Sequence, residues 1–241
     1  MVKIFSLNIR RLLPVVIVIL ILVGIFISVF MSVIMNRDTK VQTEEKEGEY
    51  SIVINLYNRT LTLYLDNEKR KTYPVAIGAP DTKTPVGEWA IISKSKRWGG
   101  GFGSRWLGLN VPWGIYGIHG TNKPGSIGRA ASHGCIRMYN SHVEELYDIV
   151  PRKTRVKVVG ERKPIDVNKK LFSGRTGLEV IQLQENLRAS GFDPGFLDGR
   201  YGDTTEEAIK ELQAQFSLKS DGGADWNILY LLRLPGNEYY N

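Results

Sequence analysis

The sequence has a single cysteine, Cys135, among 241 residues. No intrachain disulfide can form, so the lone thiol is either a small buried hydrophobe or a group put to chemical use. Histidine is scarce too, with three residues, His119, His133 and His142, to serve as bases or metal ligands. Zinc-finger spacing and recognisable nucleic-acid modules are missing, which argues against nucleic acid as the partner of this basic chain. The net charge of +7 still favours anionic surroundings, such as a phospholipid face or a polyanionic polymer. Low-complexity tracts and internal repeats are absent. With 42% apolar and 24% charged residues, the chain has the composition of folded protein.

Charge is missing altogether from Leu12 to Met35, a run of 24 residues. At about 1.5 Å rise per residue it is long enough to cross a hydrocarbon core of about 30 Å. Lys3, Arg10 and Arg11 precede it, and Glu44, Glu45, Glu47 and Glu49 follow. The positive-inside bias then predicts a single-pass anchor over 12–35, with the N-terminus cytoplasmic and the remainder outside the cell membrane. A cleaved signal peptide is the competing reading, but its apolar region would be shorter and end in small residues. Residues 36–49 are polar and read as a solvated stalk.

From 50 to 160 the periodicity is mostly two, which predicts a mainly β domain, a sandwich or partial barrel. Ser51–Tyr57 and Thr60–Leu65 flank an Asn58-Arg59 turn as a hairpin. Further strands are expected over Lys71–Gly78, Gly87–Ser93, Trp106–Val111, Ile115–His119 and Arg155–Val159, and one helix over His142–Ile149. A polar linker, Glu161–Asp166, leads into a small all-α module over 167–235. There Val180, Leu183 and Leu187 recur at helical spacing, as do Ala208, Ile209, Leu212 and Phe216. Thr204 with Glu207 fits a capping box.

The chemistry concentrates in Ile118-His119-Gly120-Thr121 and Ser132-His133-Gly134-Cys135-Ile136-Arg137-Met138. A thiol needs a base to become a nucleophile near neutral pH, and a histidine within reach supplies one. His119 ends a predicted strand, which presents its ring rigidly. Gly134 lets the turn bend so that neighbouring N–H groups converge as an oxyanion hole. No acidic residue is close in sequence to orient the base, so a backbone carbonyl, that of Gly120, is expected. Other readings remain open. Cys135 can be inert core, and His119, His133 and Cys135 are chemically able to bind zinc, although a fourth protein ligand is missing. Ser132 either bonds within the turn or serves the site. Trp113 and Tyr116 belong either to the pocket rim or to the core. Lys96–Trp106, with three consecutive glycines, is a mobile wall over a cleft or a surface loop whose aromatics pack on the sheet. His142 reads as an ordinary surface residue.

Taken together these residues resemble the YkuD-type L,D-transpeptidase catalytic domain, whose signature is a His, a gap of this length, then Ser/Thr-His-Gly-Cys-apolar-Asn. His119, Ser132, His133, Gly134, Cys135 and Ile136 match, and Thr84-Pro85-Val86-Gly87-Glu88-Trp89 resembles a second family turn. Arg137 replaces the Asn and adds a fixed charge suited to a carboxylate. The resemblance implies a cysteine acyltransferase without cofactor or metal. In it Cys135 is the nucleophile, His119 the base, Gly134 and Cys135 the oxyanion donors, and His133 a wall of the pocket. The implied partners are peptidoglycan stem peptides and glycan. The implied reaction is 3→3 cross-linking with release of D-Ala, and an L,D-carboxypeptidase or a non-catalytic tether are the alternatives. The tail resembles the type 1 peptidoglycan-binding module through Gly177, Val180, Leu183-Gln184, Leu187, Gly191-Phe192, Asp198-Gly199, Tyr201-Gly202, Thr205, Ala208 and Phe216.

Overall fold

The computed structural model describes residues 19–32, 48–163 and 165–234. The chain divides into two compact units, Met1–Glu47 and Gly48–Asn241. In the first, residues 19–32 are helical (α1) and their side chains are exposed. No helix among the described residues is long and apolar enough to cross a membrane. The rest of the expected anchor, 12–18 and 33–35, and most of the stalk, 36–47, lie outside the described residues.

The second unit begins with a sheet built from β1 (Tyr50–Asn55), β2 (Thr60–Leu65), β3 (Glu68–Pro74), β5 (Gly87–Ser95), β6 (Trp106–Leu109), β7 (Tyr116–His119), β9 (Ile136–Arg137) and β10 (Arg155–Val159). In space the order is β3-β2-β1-β10-β5-β6-β7-β9. Two pairs, β1/β10 and β7/β9, are parallel, and the others are antiparallel. A small parallel pair joins β4 (Ile77–Gly78) to β8 (Ala130–Ser132). The mainly β expectation thus holds, with one continuous eight-stranded sheet in place of two opposed ones.

Alternation along β1 and β2 sends Ile52, Ile54, Leu61 and Leu63 inward. They pack with Trp89, Ile91, Leu107, Ile118 and Ile136. Helix α2 (Asn140–Ile149) lays Val143 and Leu146 onto the same core. Each such side chain, fully buried, is worth about 1.5–3 kcal/mol relative to water. The single strand expected over Lys71–Gly78 ends at Pro74, opposite Thr60, where β2 begins, and Ile77–Gly78 pairs with β8 instead.

Helices α3 (Leu178–Ala189), α4 (Asp203–Gln215) and α5 (Trp226–Leu231) form the module. Its core gathers Val180, Leu183, Leu187, Tyr201, Ile209, Leu212 and Ile228. Two expectations are corrected here. Phe216 is 48% exposed, because it follows the last turn of α4 and leaves the buried face. Thr204 does not cap α4: the cap residue is Gly202, and the Thr204 hydroxyl donates to Pro194 O at 3.2 Å. Asp225 does cap α5, accepting from the Asn227 and Ile228 amides.

Candidate active site

The local structure around Cys135 follows from its neighbours. β7 delivers His119 at its last position, and β9 begins one residue after Cys135. The two strands run parallel, with His119 opposite Arg137 and Ile118 opposite Ile136. Ile118 and Ile136 are fully buried and fix this register. In consequence His119, Cys135 and Arg137 open into one cavity of about 440 Å³, with Ser132 and His133 on its margin.

The turn before Cys135 is held from both ends. Ser132 is buried, and its hydroxyl donates to Cys135 O at 2.5 Å while accepting from the Gly134 N–H at 3.1 Å. Thr82 Oγ1 donates to Ser132 O at 2.8 Å, and Thr84 Oγ1 accepts from the Gly78 N–H at 2.8 Å. Gly134 has φ +103°, and a methyl group there would lie 2.8 Å from Tyr116 Cε1. Only glycine suits that position. The Gly134 amide is spent on Ser132 in this conformation. The oxyanion role expected of this amide requires it to turn from that hydroxyl, two residues away.

His119 is 3% exposed. Its Nδ1 lies 2.5 Å from Gly120 O. A carbonyl only accepts, so Nδ1 carries the proton and the neutral ring keeps its lone pair on Nε2. Phe102 meets the ring edge-on at 4.9 Å, and Trp106 stacks beside it at 5.7 Å. Burial pushes the imidazole down to about 4; the nearby Arg137 charge adds to this, while the Gly120 carbonyl and a Phe102 backbone contact oppose it. Burial pushes the Cys135 thiol up, against the opposing pull of a Gly117 backbone contact and Arg137. The resting pair is therefore a neutral thiol and a neutral imidazole, able to pass one proton when a substrate arrives.

The aromatic segment lies at this cavity. Trp98, Phe102 and Trp106 all line it, Trp98 stacking on buried Trp106 at 4.8 Å. His133 is exposed on the rim. Trp113 and Tyr116 stand elsewhere. Tyr116 backs the Gly134 turn from outside the cavity, and Trp113 meets Trp89 edge-on at 5.6 Å. Both are drawn away from the cleft by the core on which they pack. His142 lies between the rings of Tyr73 and Tyr139, at 5.3 Å from each, rather than free on the surface.

Some contributors were invisible in the sequence. Asn140 Oδ1 accepts from the Thr121 and Ser104 amides at 3.0 and 3.2 Å, tying the strand end after His119 to the aromatic loop. The Cys135 thiol points to Ile115 O at 3.9 Å, and the exposed Ile115 side chain lines the cavity. No sequence signal marks either residue. Among the described residues, no group of three His, Cys, Asp or Glu side chains is placed to hold a metal ion.

Residues 49–158 match the family described as L,D-transpeptidase catalytic domain, and residues 176–232 match a putative peptidoglycan binding domain. Putative L,D-transpeptidase YkuD of Bacillus subtilis (strain 168) is 51% identical over 109 residues, 45% of this chain and 65% of its own length. Putative L,D-transpeptidase YqjB of the same organism is 34% identical over 134 residues, 49% of this chain and 76% of its own length. The crystal structure of L,D-transpeptidase 3 from Mycobacterium tuberculosis superposes with a TM-score of 0.44 at 17% identity, over 47% of this chain and 62% of that one. The match to the first of these relatives thus falls just short of two thirds of its length. On the strength of the YqjB match and of the catalytic-domain match that contains both His119 and Cys135, the chain belongs to the YkuD-type L,D-transpeptidase family.

Proposed function

We propose that this protein is a peptidoglycan L,D-transpeptidase that makes 3→3 cross-links through a thioester on Cys135. The observation that carries the reading is the shared cavity of Cys135 and His119, with the His119 Nδ1 proton committed to Gly120 O. Nε2 is left as the base.

In the reaction, Nε2 takes the thiol proton as Sγ attacks the carbonyl between the third residue of a stem peptide and its terminal D-Ala. The tetrahedral oxyanion collapses, the C–N bond breaks, and His119 returns the proton to the departing D-Ala amine. A side-chain amine from a second stem then attacks the thioester. His119 accepts its proton and gives it back to the leaving thiolate, which restores the starting state. Arg137 supplies a fixed cation in the cleft, suited to a donor carboxylate.

The C-terminal module would hold the enzyme on glycan, and the uncharged 12–35 run with its basic leader would hold it at the cell membrane, N-terminus inside. Those two placements rest on the family match at 176–232 and on the charge pattern of the sequence. Incubation with purified disaccharide-tetrapeptide, followed by mass spectrometry, tests the reading. A dimer that has lost one D-Ala, absent with Cys135→Ala, supports transpeptidation. A trimmed tripeptide alone makes the protein an L,D-carboxypeptidase. No product from either protein counts against both enzymatic readings and leaves a wrong substrate, a required partner or a binding protein.

A further inference from the structure

The C-terminal module grips the catalytic domain at two places. At the first, the start of β5 meets the turn before α4. The Glu88 amide donates to Leu197 O at 2.9 Å, and the Leu197 amide donates back to Glu88 Oε2 at 3.3 Å. Arg188 of α3 closes a two-pronged contact on the Glu88 carboxylate at 3.0 and 3.2 Å. At the second place the turn reaches a different segment, 110–116. Arg200 donates to Asn110 O at 2.5 Å. Gly199, at φ +67°, lies so close to Trp113 that a methyl group there would be 2.8 Å from its ring. Ile181 of α3 is fully buried within the catalytic core rather than the module's own.

The gripping turn is itself rigid. Gln184, 1% exposed, accepts from the Gly199 amide at 3.0 Å and donates to Arg200 O at 3.0 Å. The gripped segment runs straight to the nucleophile. Two residues past Trp113, Ile115 offers its carbonyl to the Cys135 thiol, and Tyr116 backs Gly134. Ile115 lies outside the β6–β7 ladder, whereas Gly117 is paired within it. The sheet holds Ile115 only through the next residue, Tyr116, which pairs with Leu109, while the module meets the same segment from its other end at Asn110 and Trp113.

We propose that the module is a positioning element of the catalytic centre, acting through Arg200 and Trp113 on the 110–116 segment to set Ile115 against Cys135. Its role extends beyond holding the enzyme on its polymer. The inference rests on Cys135 being the working nucleophile, yet its test asks nothing about which reaction the thiol performs.

The test is the pH profile of iodoacetamide alkylation of Cys135 in the full-length protein, read by intact mass. Arg200→Ala removes the module's polar hold on the 110–116 segment and leaves Asn110 tied to Ala90 alone. The Ile115 carbonyl, which favours the neutral thiol, then drifts away while Gly117 stays in its strand. The expected result is a midpoint lower by about half a unit, or about threefold more thiolate at a pH below it. Arg188→Ala loosens the same interface at its other contact and serves as the comparison; its midpoint should match the unsubstituted protein. Unchanged midpoints in both variants would overturn the proposal. So would equal shifts in both that track their loss of melting temperature, because general loosening would then explain the effect.

Discussion

His119 and Arg137 face each other across two adjacent parallel strands, so a fixed positive charge stands beside the base and one residue beyond the nucleophile's own neighbour. The guanidinium opposes protonation of the imidazole and favours ionisation of the thiol. Replacement by a neutral side chain removes both effects. Arg137→Gln is expected to raise the midpoint of Cys135 alkylation and to raise the ionisation of His119, measured by NMR titration of its ring. A variant with both values unchanged would show that solvent already screens the charge.

Acid sensitivity follows from the same ring. His119 accepts a proton only while neutral, and burial together with Arg137 holds its ionisation at about 4. The acid limb of kcat/KM is therefore expected near pH 4, with activity flat between about pH 5 and 7. A limb near 6.5, the value of an ordinary histidine, would mean that water reaches the ring.

Gly134 is the residue of the turn least open to exchange. Gly134→Ala places a Cβ at positive φ and against Tyr116. The expected cost is about 1–3 kcal/mol, seen as a lower melting temperature, together with slower turnover as the turn shifts. Full stability in that variant would mean that Tyr116 simply moves aside.

The seam between the two parts should weaken in acid. Burial pushes the Glu88 carboxyl up, but Arg188, the Leu197 amide and Lys157 outweigh it and hold it below the ordinary range. A lowered folded value gives stability that is present above the unfolded value and lost as pH falls through the folded one. Glu88→Gln is thus expected to cost about 1 kcal/mol at neutral pH, discounted for the part-exposed Arg188, and nothing in strong acid. Melting temperatures of the two proteins across pH 3–7 decide it; a gap that persists at pH 3 would point to packing instead.

The parts legible in sequence were those with a strong local signature. Alternation disclosed the long strands, and the Ser-His-Gly-Cys turn with an upstream His disclosed the reacting pair. Strands β8 and β9, of three and two residues, carry no period at all and form only because the fold brings partners to them. Trp113, six positions before His119, reads in sequence as either pocket rim or core, and its ring packs on the core and at the seam with the module. Contacts through backbone atoms, such as Ile115 O with Cys135, depend on where the chain passes and leave no trace in side-chain identity.

Acylation of Cys135 with the help of His119 can be observed directly. A tetrapeptide donor is supplied without an acceptor amine, the mixture is acid-quenched, and the intact mass of the protein is recorded. The expected result is a gain equal to the donor less D-Ala, mapped to Cys135, and absent from both Cys135→Ala and His119→Ala. The same adduct on Cys135→Ala, or one mapped to another residue, would contradict it.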